Sequence, residues 1–260
     1  MEFLVNTLDH MLGPGPFLEL LTQIGTFAGA ISGVRLASVK RFDWFGAYVI
    51  GFVTAVGGGT IRDVLLGLRP FWLESPSYLL TTLVAVLSVL LFGRRFISEQ
   101  ITWFVFDTIA ISVFMLIGME KTIAFYMNEA AAAGLDFGMD EIVGCWWRAI
   151  SMGVITAVFG GIARDIFINE VPLIFRKEIY ALACAAGGFL YFGLAYVHSE
   201  GWLNVDRRVC GILSIIAIFV IRALAIKYHL GVPVLTGRRP KMLHHHHHHA
   251  EREGRGGARP

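Results

Sequence analysis

One stretch of the chain occurs twice, and this repeat constrains the fold more than any other feature of the sequence. Residues 51–78 and 153–180 align without a gap at a constant offset of 102 positions, and ten positions are identical. Identities in register at this density indicate an internal duplication. In the numbering of the first copy, the shared residues are Gly51, Thr54, Ala55, Val56, Gly58, Gly59, Arg62, Asp63, Pro70 and Tyr78.

The composition places this repeat in a membrane protein. Hydrophobic residues make up 55% of the chain and charged residues 16%, whereas a soluble domain carries about 25% charged residues. A helix needs about 20 apolar residues to cross a hydrocarbon core of about 30 Å. The sequence therefore predicts an all-α integral membrane protein with seven transmembrane helices, near residues 17–37, 44–67, 77–93, 102–121, 145–168, 178–197 and 207–227.

We expect residues 1–243 to form a single membrane domain. The first copy of the repeat then spans about residues 17–93, the second about 102–197, and the seventh helix follows at 207–227. Residues 244–260 begin with a run of histidines that is typical of an affinity tag, so they are excluded from the functional interpretation.

Positively charged residues predict the orientation of the helices. They concentrate in alternate loops and after the seventh helix, and loops of this kind lie on the cytoplasmic side of a membrane. We therefore expect the N-terminus outside and the C-terminus in the cytoplasm. The residues concerned are Lys40, Arg41, Arg94, Arg95, Arg176, Lys177, Lys227, Arg238, Arg239 and Lys241.

The number of helices in each copy determines the predicted geometry of the repeat. Each copy contains three predicted helices, and because three is odd, the two copies enter the membrane from opposite sides. The sequence therefore predicts an inverted 3+3 repeat with one added helix. Proteins with inverted repeats and interrupted helices place a substrate or ion path near the midplane, where the two halves meet.

Glycines in the second and fifth helices are the candidate pore residues. Each glycine costs a helix about 1 kcal/mol relative to alanine, and consecutive glycines predict a kink or a break. A break would free backbone groups that must line a wet cavity or be buried in protein. Alternatively, the small residues allow two helices to pack closely. The glycines are Gly57, Gly58, Gly59, Gly160 and Gly161.

Two threonines precede these glycines by one turn. The hydroxyl groups of Thr54 and Thr156 either contribute oxygens to the path or bond back to their own helix, and the sequence leaves both alternatives open.

Four charged residues follow the glycines inside the predicted helices: Arg62, Asp63, Arg164 and Asp165. Charges at this depth are costly and face the protein interior or water. Neighbouring residues on a helix point about 100° apart, so we expect each arginine to find its partner on another helix, at freed carbonyl groups or in water rather than in its own aspartate. A role in permeation and a structural charge network are both compatible with this pattern.

Other intramembrane charges are weaker signals. Asp107 and Lys121 lie about four turns apart on the fourth helix, with Asp107 near the inner end and Lys121 near the outer end. We expect Lys121 to extend toward the membrane surface. Arg35 and Arg222 lie close to cytoplasmic helix ends, where extension to the surface or contact with anionic lipid is expected.

The motifs of catalysis are not found in the sequence, which has no HExxH, no nucleophile elbow and no GxxxxGK[ST] phosphate loop. We therefore expect no enzyme, no catalytic residue and no metal site. A net charge of +2 gives no indication of nucleic-acid binding. A passive channel, a secondary transporter and a helix-packing scaffold remain, and the architecture alone favours the transporter.

The two Gly-Gly-x-x-Arg-Asp segments, the seven helices and the external N-terminus together resemble the trimeric intracellular cation (TRIC) channels in their prokaryotic form. The resemblance covers about residues 17–227. It implies a homotrimer in the prokaryotic inner membrane, with one hydrophilic pore in each subunit that passes K⁺ and Na⁺. It also implies that kinked second and fifth helices flank this pore.

One position departs from the pattern of the family: Phe159 stands where the first copy has Gly57, which predicts a shorter second break. Beyond the permeant K⁺ or Na⁺, we expect a bound phospholipid but no cofactor. The expected partners are further copies of the chain and membrane lipids. Smaller bacterial proteins built from the same unit are regarded as glycine transporters, so a secondary transporter of a small solute such as glycine is the alternative function.

Overall fold

The structure is a computed structural model that describes residues 14–97, 100–135, 144–175, 179–199 and 206–231. Within these ranges the chain forms seven long α-helices, and the predicted tag and tail at 244–260 lie outside them. The helices are α1 (Pro14–Val39), α2 (Trp44–Leu65), α3 (Ser77–Ile97), α4 (Gln100–Ala132), α5 (Trp146–Phe167), α6 (Ala181–Ser199) and α7 (Arg207–Lys227).

The helices have the length and composition of membrane spans. Six of them are long and apolar enough to cross a membrane, and α3 contributes a shorter apolar stretch over Ser77–Gly93. The predicted class, an all-α multi-pass membrane protein, is confirmed. Exposed apolar side chains cover the outer faces of the peripheral helices, as expected for surfaces that contact lipid. Examples are Leu80, Val84 and Leu91 on α3, and Ile212, Ile216 and Val220 on α7.

The predicted and observed helix boundaries differ most at the end of α4. We expected this helix to end near residue 121, but it continues to Ala132. The additional segment begins with the buried residues Thr122 and Ile123 and ends in a run of alanines, which favour helix more than any other residue.

The structure describes only part of the basic set that predicts orientation. Lys40, Arg41 and Lys227 are exposed at helix ends. Arg176, Lys177, Arg238, Arg239 and Lys241 lie outside the described residues, and so do the side chains of Arg94 and Arg95. The orientation of the termini therefore stays a prediction.

A central group of four helices, α1, α2, α4 and α5, positions the polar residues. In this group α1 packs on α2 and α4, while α5 packs on α2 and α4. The three other helices lie outside it. Helix α3 packs on α1 and α2, α6 packs on α4 and α5, and α7 packs on α4 and on α6. One hydrophobic cluster lies mainly in α1–α3 and the second mainly in α4–α7, so each half of the chain has its own core.

The first helices of the two copies run in opposite directions. Contacts between α1 and α4 advance along α1 as they retreat along α4, which defines an antiparallel register. The facing pairs are Gly25 with Phe114, Gly29 with Ala110, and Ser32 with Asp107.

The second helices of the two copies end in the same way. After α2, Gly67 adopts a left-handed backbone with φ of 70°, and after α5 the equivalent Asn169 has φ of 57°. Asparagine is among the few residues other than glycine that tolerate this conformation, which closes a helix. Each copy then continues into a short 3₁₀ turn, Phe71–Leu73 or Leu173–Phe175.

Candidate functional site

The helices α2 and α5 cross where their glycines meet. A Cβ atom at Gly58 would overlap the carbonyl oxygen of Thr156, and a Cβ atom at Gly160 would overlap the carbonyl oxygen of Thr54. These two contacts are reciprocal, since Gly58 and Gly160 are equivalent positions of the repeat, as are the two threonines. The order of the contacts also shows that α2 and α5 are antiparallel. The glycines therefore allow a backbone-to-backbone crossing that no larger residue permits.

The expected break in these helices is not observed. Both α2 and α5 run without interruption through their glycines. The glycines were predicted to break or bend the helices, but they supply space for the neighbouring backbone, so no carbonyl groups are freed at a break. The predicted kink and the pore role of Gly57, Gly58, Gly59, Gly160 and Gly161 stay predictions.

The two threonines at the crossing bond to their own helices. The hydroxyl of Thr54 donates to the carbonyl oxygen of Ile50 at 2.6 Å, and that of Thr156 donates to Met152 at 2.7 Å. The same hydroxyl groups also lie against the first helix of their copy. A Cβ atom at Gly33 would lie 2.5 Å from Thr54 Oγ1, and one at Gly118 would lie 2.6 Å from Thr156 Oγ1. Of the two alternatives from the sequence, the structure has the back-bonded one.

The Arg-Asp pair of the first copy closes on itself. The Nε and Nη2 atoms of Arg62 donate to Asp63 Oδ1 at 2.9 and 2.6 Å. The other carboxylate oxygen, Asp63 Oδ2, accepts the backbone N–H of Phe71 at 2.9 Å. Both charged side chains are only 2% exposed, so this aspartate compensates a buried guanidinium and also holds the following turn.

The second copy repeats this arrangement. Arg164 Nε donates to Asp165 Oδ1 at 2.9 Å, and Asp165 Oδ2 accepts the backbone N–H of Leu173 at 3.1 Å. The expectation that neither arginine pairs with its own aspartate is therefore wrong, although Arg164 also pairs with another helix through Asp107. The long arginine side chain folds back over the neighbouring carboxylate, which overcomes the angular separation of their Cα atoms.

Asp107 joins the second pair to two further helices. Its Oδ1 atom accepts hydrogen bonds from Arg164 Nη1 at 3.0 Å and from the Ser32 hydroxyl at 3.3 Å. Its Oδ2 atom accepts from Arg222 Nη1 at 2.9 Å. Two arginines and two aspartates, counting Asp165, form a cluster with no net charge. We call Ser32, Asp107, Arg164, Asp165 and Arg222 the inner cluster.

Arg222 does not extend to the membrane surface as expected. Its side chain is 2% exposed, and its guanidinium carbon lies 4.6 Å from the ring centroid of Tyr180 and 5.1 Å from that of Phe104. A buried carboxylate and two aromatic faces satisfy this cation inside the protein, so it has no need of water or lipid headgroups.

Lys121 belongs to the other end of the crossing. Its Nζ atom lies 5.3 Å from the ring centroid of Phe71, and the guanidinium of Arg62 lies 5.8 Å from the same ring. A cleft of about 380 Å³ opens beside these groups. Side chains of both charges line it: Asp63, Arg69, Glu74 and Lys121, together with Phe71.

The two ends of the crossing therefore differ. The copy-one pair faces an open cleft, whereas the copy-two pair is enclosed in a neutral cluster. Ser32 and Phe71 were not predicted as site residues, and Arg222 was expected at the membrane surface. The charge of Arg222 within an apolar helix could have identified it as a buried site residue. Ser32 and Phe71 do not stand out from their neighbours in the sequence. In the part of the chain that the structure describes, no group of acidic, histidine and cysteine side chains could hold a metal ion.

A family model described as "Glycine transporter" matches the chain in two segments, residues 19–94 and 104–196. These segments fall one on each copy of the repeat. The chain is 37% identical to the UPF0126 inner membrane protein YadS of Escherichia coli K12 over 216 residues, which is 82% of this chain and 93% of that protein. It is 35% identical to a UPF0126 membrane protein of Vibrio cholerae over 220 residues, 83% and 82% of the two chains.

Solved structures are similar over nearly their whole length. The trimeric intracellular cation channel orthologue from Rhodobacter sphaeroides superposes with a TM-score of 0.67 at 31% identity, over 82% of this chain and 99% of that one. A second TRIC cation channel, studied for its conductance, superposes with a TM-score of 0.64 at 31% identity, over 85% and 98% of the two chains.

Proposed function

The chain belongs to the family of the TRIC channels, and we propose that it forms a homotrimeric channel in which each subunit passes K⁺ and Na⁺ by passive flux. Its solved relatives are described as cation channels at 31% identity, which supports this class of function. The proposal includes an inner-membrane location with the N-terminus outside and the C-terminus in the cytoplasm. It includes no cofactor and no enzymatic activity.

The proposed pore runs beside the crossing of α2 and α5, between two halves related as an inverted repeat. The antiparallel directions of α1 with α4, and of α2 with α5, support this relation. So does the reciprocity of the glycine contacts, because a two-fold operation exchanges Gly58 with Gly160 and each threonine with its equivalent.

One observation carries the pore assignment: buried charges lie on both sides of the crossing. Asp63 follows Gly58 by five residues, and Asp165 follows Gly160 by five, which is about 7 Å of helix in each case. Because the helices are antiparallel, these two steps lead in opposite directions. Polar groups therefore extend in both directions from the crossing and form one line through the membrane domain. Without them, this part of the interior would consist of apolar side chains alone.

The cleft at Asp63 is the proposed outer mouth. It reaches Asp63 at the end of α2, whose carboxylate is itself buried and hydrogen-bonded, and Glu74 adds a second carboxylate to its lining. Acidic groups raise the local concentration of cations, while Lys121 and Arg69 in the same lining limit the net attraction. Strong selectivity between K⁺ and Na⁺ comes from rings of carbonyl oxygens, and the proposed mouth does not require such a ring. We therefore infer that the channel discriminates only weakly between the two ions.

Bending of α2 and α5 at their glycines is the proposed opening movement. Both helices are unbroken and tightly crossed in this structure. Three consecutive glycines in α2 and two in α5 lower the cost of a bend there relative to any other part of these helices.

The test is single-channel recording of the purified protein in a planar bilayer under a KCl gradient. We expect discrete current steps that reverse near the K⁺ equilibrium potential. A bilayer that stays silent, although the protein is shown to be folded and inserted, would overturn the channel proposal.

A second candidate function is secondary transport of a small zwitterion such as glycine. The description of the matching family model favours it, and so does a cleft that offers both lysine and carboxylate side chains to one small solute. Counterflow of labelled glycine in vesicles separates the two functions: a transporter shows saturable, solute-specific exchange without current steps.

Trimer formation and lipid contact are the remaining parts of the proposal. The exposed apolar faces of α3, α6 and α7 supply surface for both the neighbouring subunits and bound phospholipid. The protein mass of the detergent complex, measured by light scattering, is expected to be three times that of the chain.

A further inference from the structure

Arg35 is a largely buried cation that has no anionic partner among the described residues. Its side chain is 8% exposed, near the end of α1. Among the described residues it has no hydrogen bond and no ion pair, and its buried Nε atom is one of the polar atoms that lack a partner. Every other buried arginine in the described ranges, Arg62, Arg164 or Arg222, lies against an aspartate. A buried charge of this kind is costly unless something compensates it.

The register of the helices brings Arg35 to the inner cluster. Contacts between α1 and α4 pair residue 32 with 107, so residue 35 faces residues 103 and 104 one turn further toward the end of α1. On this register, Trp103 lies at the same level along the helices as Arg35. The guanidinium of Arg164 in turn lies 5.9 Å from the Trp103 ring.

Two further N–H donors at this level have no acceptor. The Trp103 Nε1 atom and the Arg164 Nη2 atom are both buried, and within the described part of the chain neither makes a hydrogen bond. Arg164 itself is 0% exposed. Three helices, α1, α4 and α5, thus contribute these donors. Buried donors of this kind are nearly always satisfied in folded proteins, so their grouping indicates a bound acceptor.

The charges at this place agree with the hydrogen bonds. The inner cluster is neutral, with Arg164 and Arg222 balanced by Asp107 and Asp165. Adding Arg35 leaves one positive charge in excess. A single anion with several acceptor oxygens would satisfy the charge and the donors together.

We propose that Arg35, Trp103 and Arg164 form a binding site for a phosphate-type oxyanion between α1, α4 and α5. Arginine and indole N–H groups donate to such an anion in geometries that its several oxygens accept. Arg35 lies four residues before the end of α1, about 6 Å along the helix, so it is close to one end of a candidate membrane span. The phosphate comes either from a phospholipid headgroup or from free inorganic phosphate. The site does not depend on whether the chain conducts ions.

The experiment compares the full chain with three variants. Arg35→Met removes the charge at similar volume, and Trp103→Phe removes only one donor. Neither change leaves an ion-paired partner unsatisfied, so both proteins are expected to fold. Lys227→Met is the matched control, because Lys227 is an exposed cation at the end of α7 and does not contact the site.

Two measurements distinguish the source of the phosphate. Native mass spectrometry reports the phospholipid that stays bound to each subunit after purification in mild detergent. Thermal unfolding of delipidated protein, with inorganic phosphate titrated against chloride at constant ionic strength, reports binding of the free anion. We expect one of these signals in the unaltered protein, a loss of about tenfold in occupancy or affinity in Arg35→Met, and a smaller loss in Trp103→Phe.

The outcomes are separable. Lipid retention that depends on Arg35, without a phosphate response, assigns the site to a lipid headgroup. A phosphate response that depends on Arg35 assigns it to the free anion. If Arg35→Met and Lys227→Met behave alike in both measurements, the proposed site does not exist.

Discussion

Asp107 is the residue on which the buried charges of the second half depend. It accepts hydrogen bonds from Arg164 and Arg222, which come from α5 and α7, and all three side chains are nearly inaccessible. A cluster of this kind adds little stability compared with apolar packing, but the loss of one member leaves uncompensated charge in the interior. Single substitutions at this place are therefore expected to be far more harmful than at exposed ion pairs.

The Asp107→Asn substitution tests this dependence. It keeps the shape of the side chain and removes the charge that compensates Arg222, so we expect a loss of about 3–5 kcal/mol in the free energy of unfolding. Denaturant unfolding in detergent measures it. The control is Glu170→Gln in the exposed pair with Lys40, where about 1 kcal/mol or less is expected. Equal losses in both variants would contradict the central role of Asp107.

The equivalent aspartates of the two copies are expected to respond differently to the same change. Asp63 lines the open cleft, whereas Asp165 is enclosed by the inner cluster. Asp63→Asn should therefore shift the reversal potential under a KCl gradient, because the proposed outer mouth loses a carboxylate. Asp165→Asn should mainly lower thermal stability. Identical effects of the two substitutions on both properties would contradict this assignment of the mouth.

At the scale of helices, the crossing of α2 and α5 divides the glycines into two kinds. Gly58 and Gly160 face a carbonyl oxygen of the opposite helix, so even one methyl group has no space. A methyl group at Gly57 would meet the Cα of Gly160 at 3.4 Å, which is an ordinary contact. Gly58 and Gly160 thus serve the close packing of the two helices, whereas Gly57 does not and remains free for bending.

Alanine substitutions separate these roles. We expect Gly58→Ala and Gly160→Ala to destabilise the protein by about 1–3 kcal/mol or more, since the helices must move apart. Gly57→Ala should retain the fold and favour a straight helix by up to about 1 kcal/mol. If bending at the glycines opens the pore, Gly57→Ala lowers the open probability in single-channel recordings. A well-folded Gly58→Ala protein with an unchanged melting temperature would disprove the close crossing.

The helix end after α2 allows a comparison within the molecule. Gly67 has positive φ and open space around its Cα, while the equivalent Asn169 shares its backbone conformation. We expect Gly67→Ala to cost about 1 kcal/mol of stability through backbone strain alone, and Gly67→Asn to cost less. Gly193→Ala in α6 is the control, because Gly193 also has open space but a helical backbone, so it should be neutral or slightly stabilising. Thermal unfolding of the three variants measures the difference.

In the molecule as a whole, the two halves share the same helix arrangement but differ in the polar residues around their Arg-Asp pairs. The crossing, the Arg-Asp turns and the 3₁₀ turns recur in both copies. The polar surroundings do not recur, because Ser32, Asp107 and Arg222 gather at the second pair, whereas Lys121 and a cleft lie at the first. The proposed channel is thus asymmetric along the membrane normal, as a conducting path with distinct outer and inner mouths requires.

The class of the protein, its seven helices and its duplicated unit can all be predicted from the sequence. These properties follow from apolar length, from the spacing of charges and from identities in register, all of which are local or periodic in the chain. The location of the polar residues was also predictable, since a charge in an apolar helix needs a polar partner wherever the chain folds. Arg62, Asp63, Arg164 and Asp165, which were expected to face the interior or water, are all buried.

The pairing of the charged groups, by contrast, depends on how the helices assemble. An arginine can fold back on its neighbour or reach another helix at similar cost, and the sequence could not choose between Asp63 and a distant acceptor for Arg62. The close approach of α2 and α5 also depends on both helices at once, so one helix alone could not distinguish a glycine that bends from a glycine that packs. Partner choice is a property of the assembled helices. It placed Arg222 inside the protein and gave Arg35 no anionic partner in the part of the chain that the structure describes.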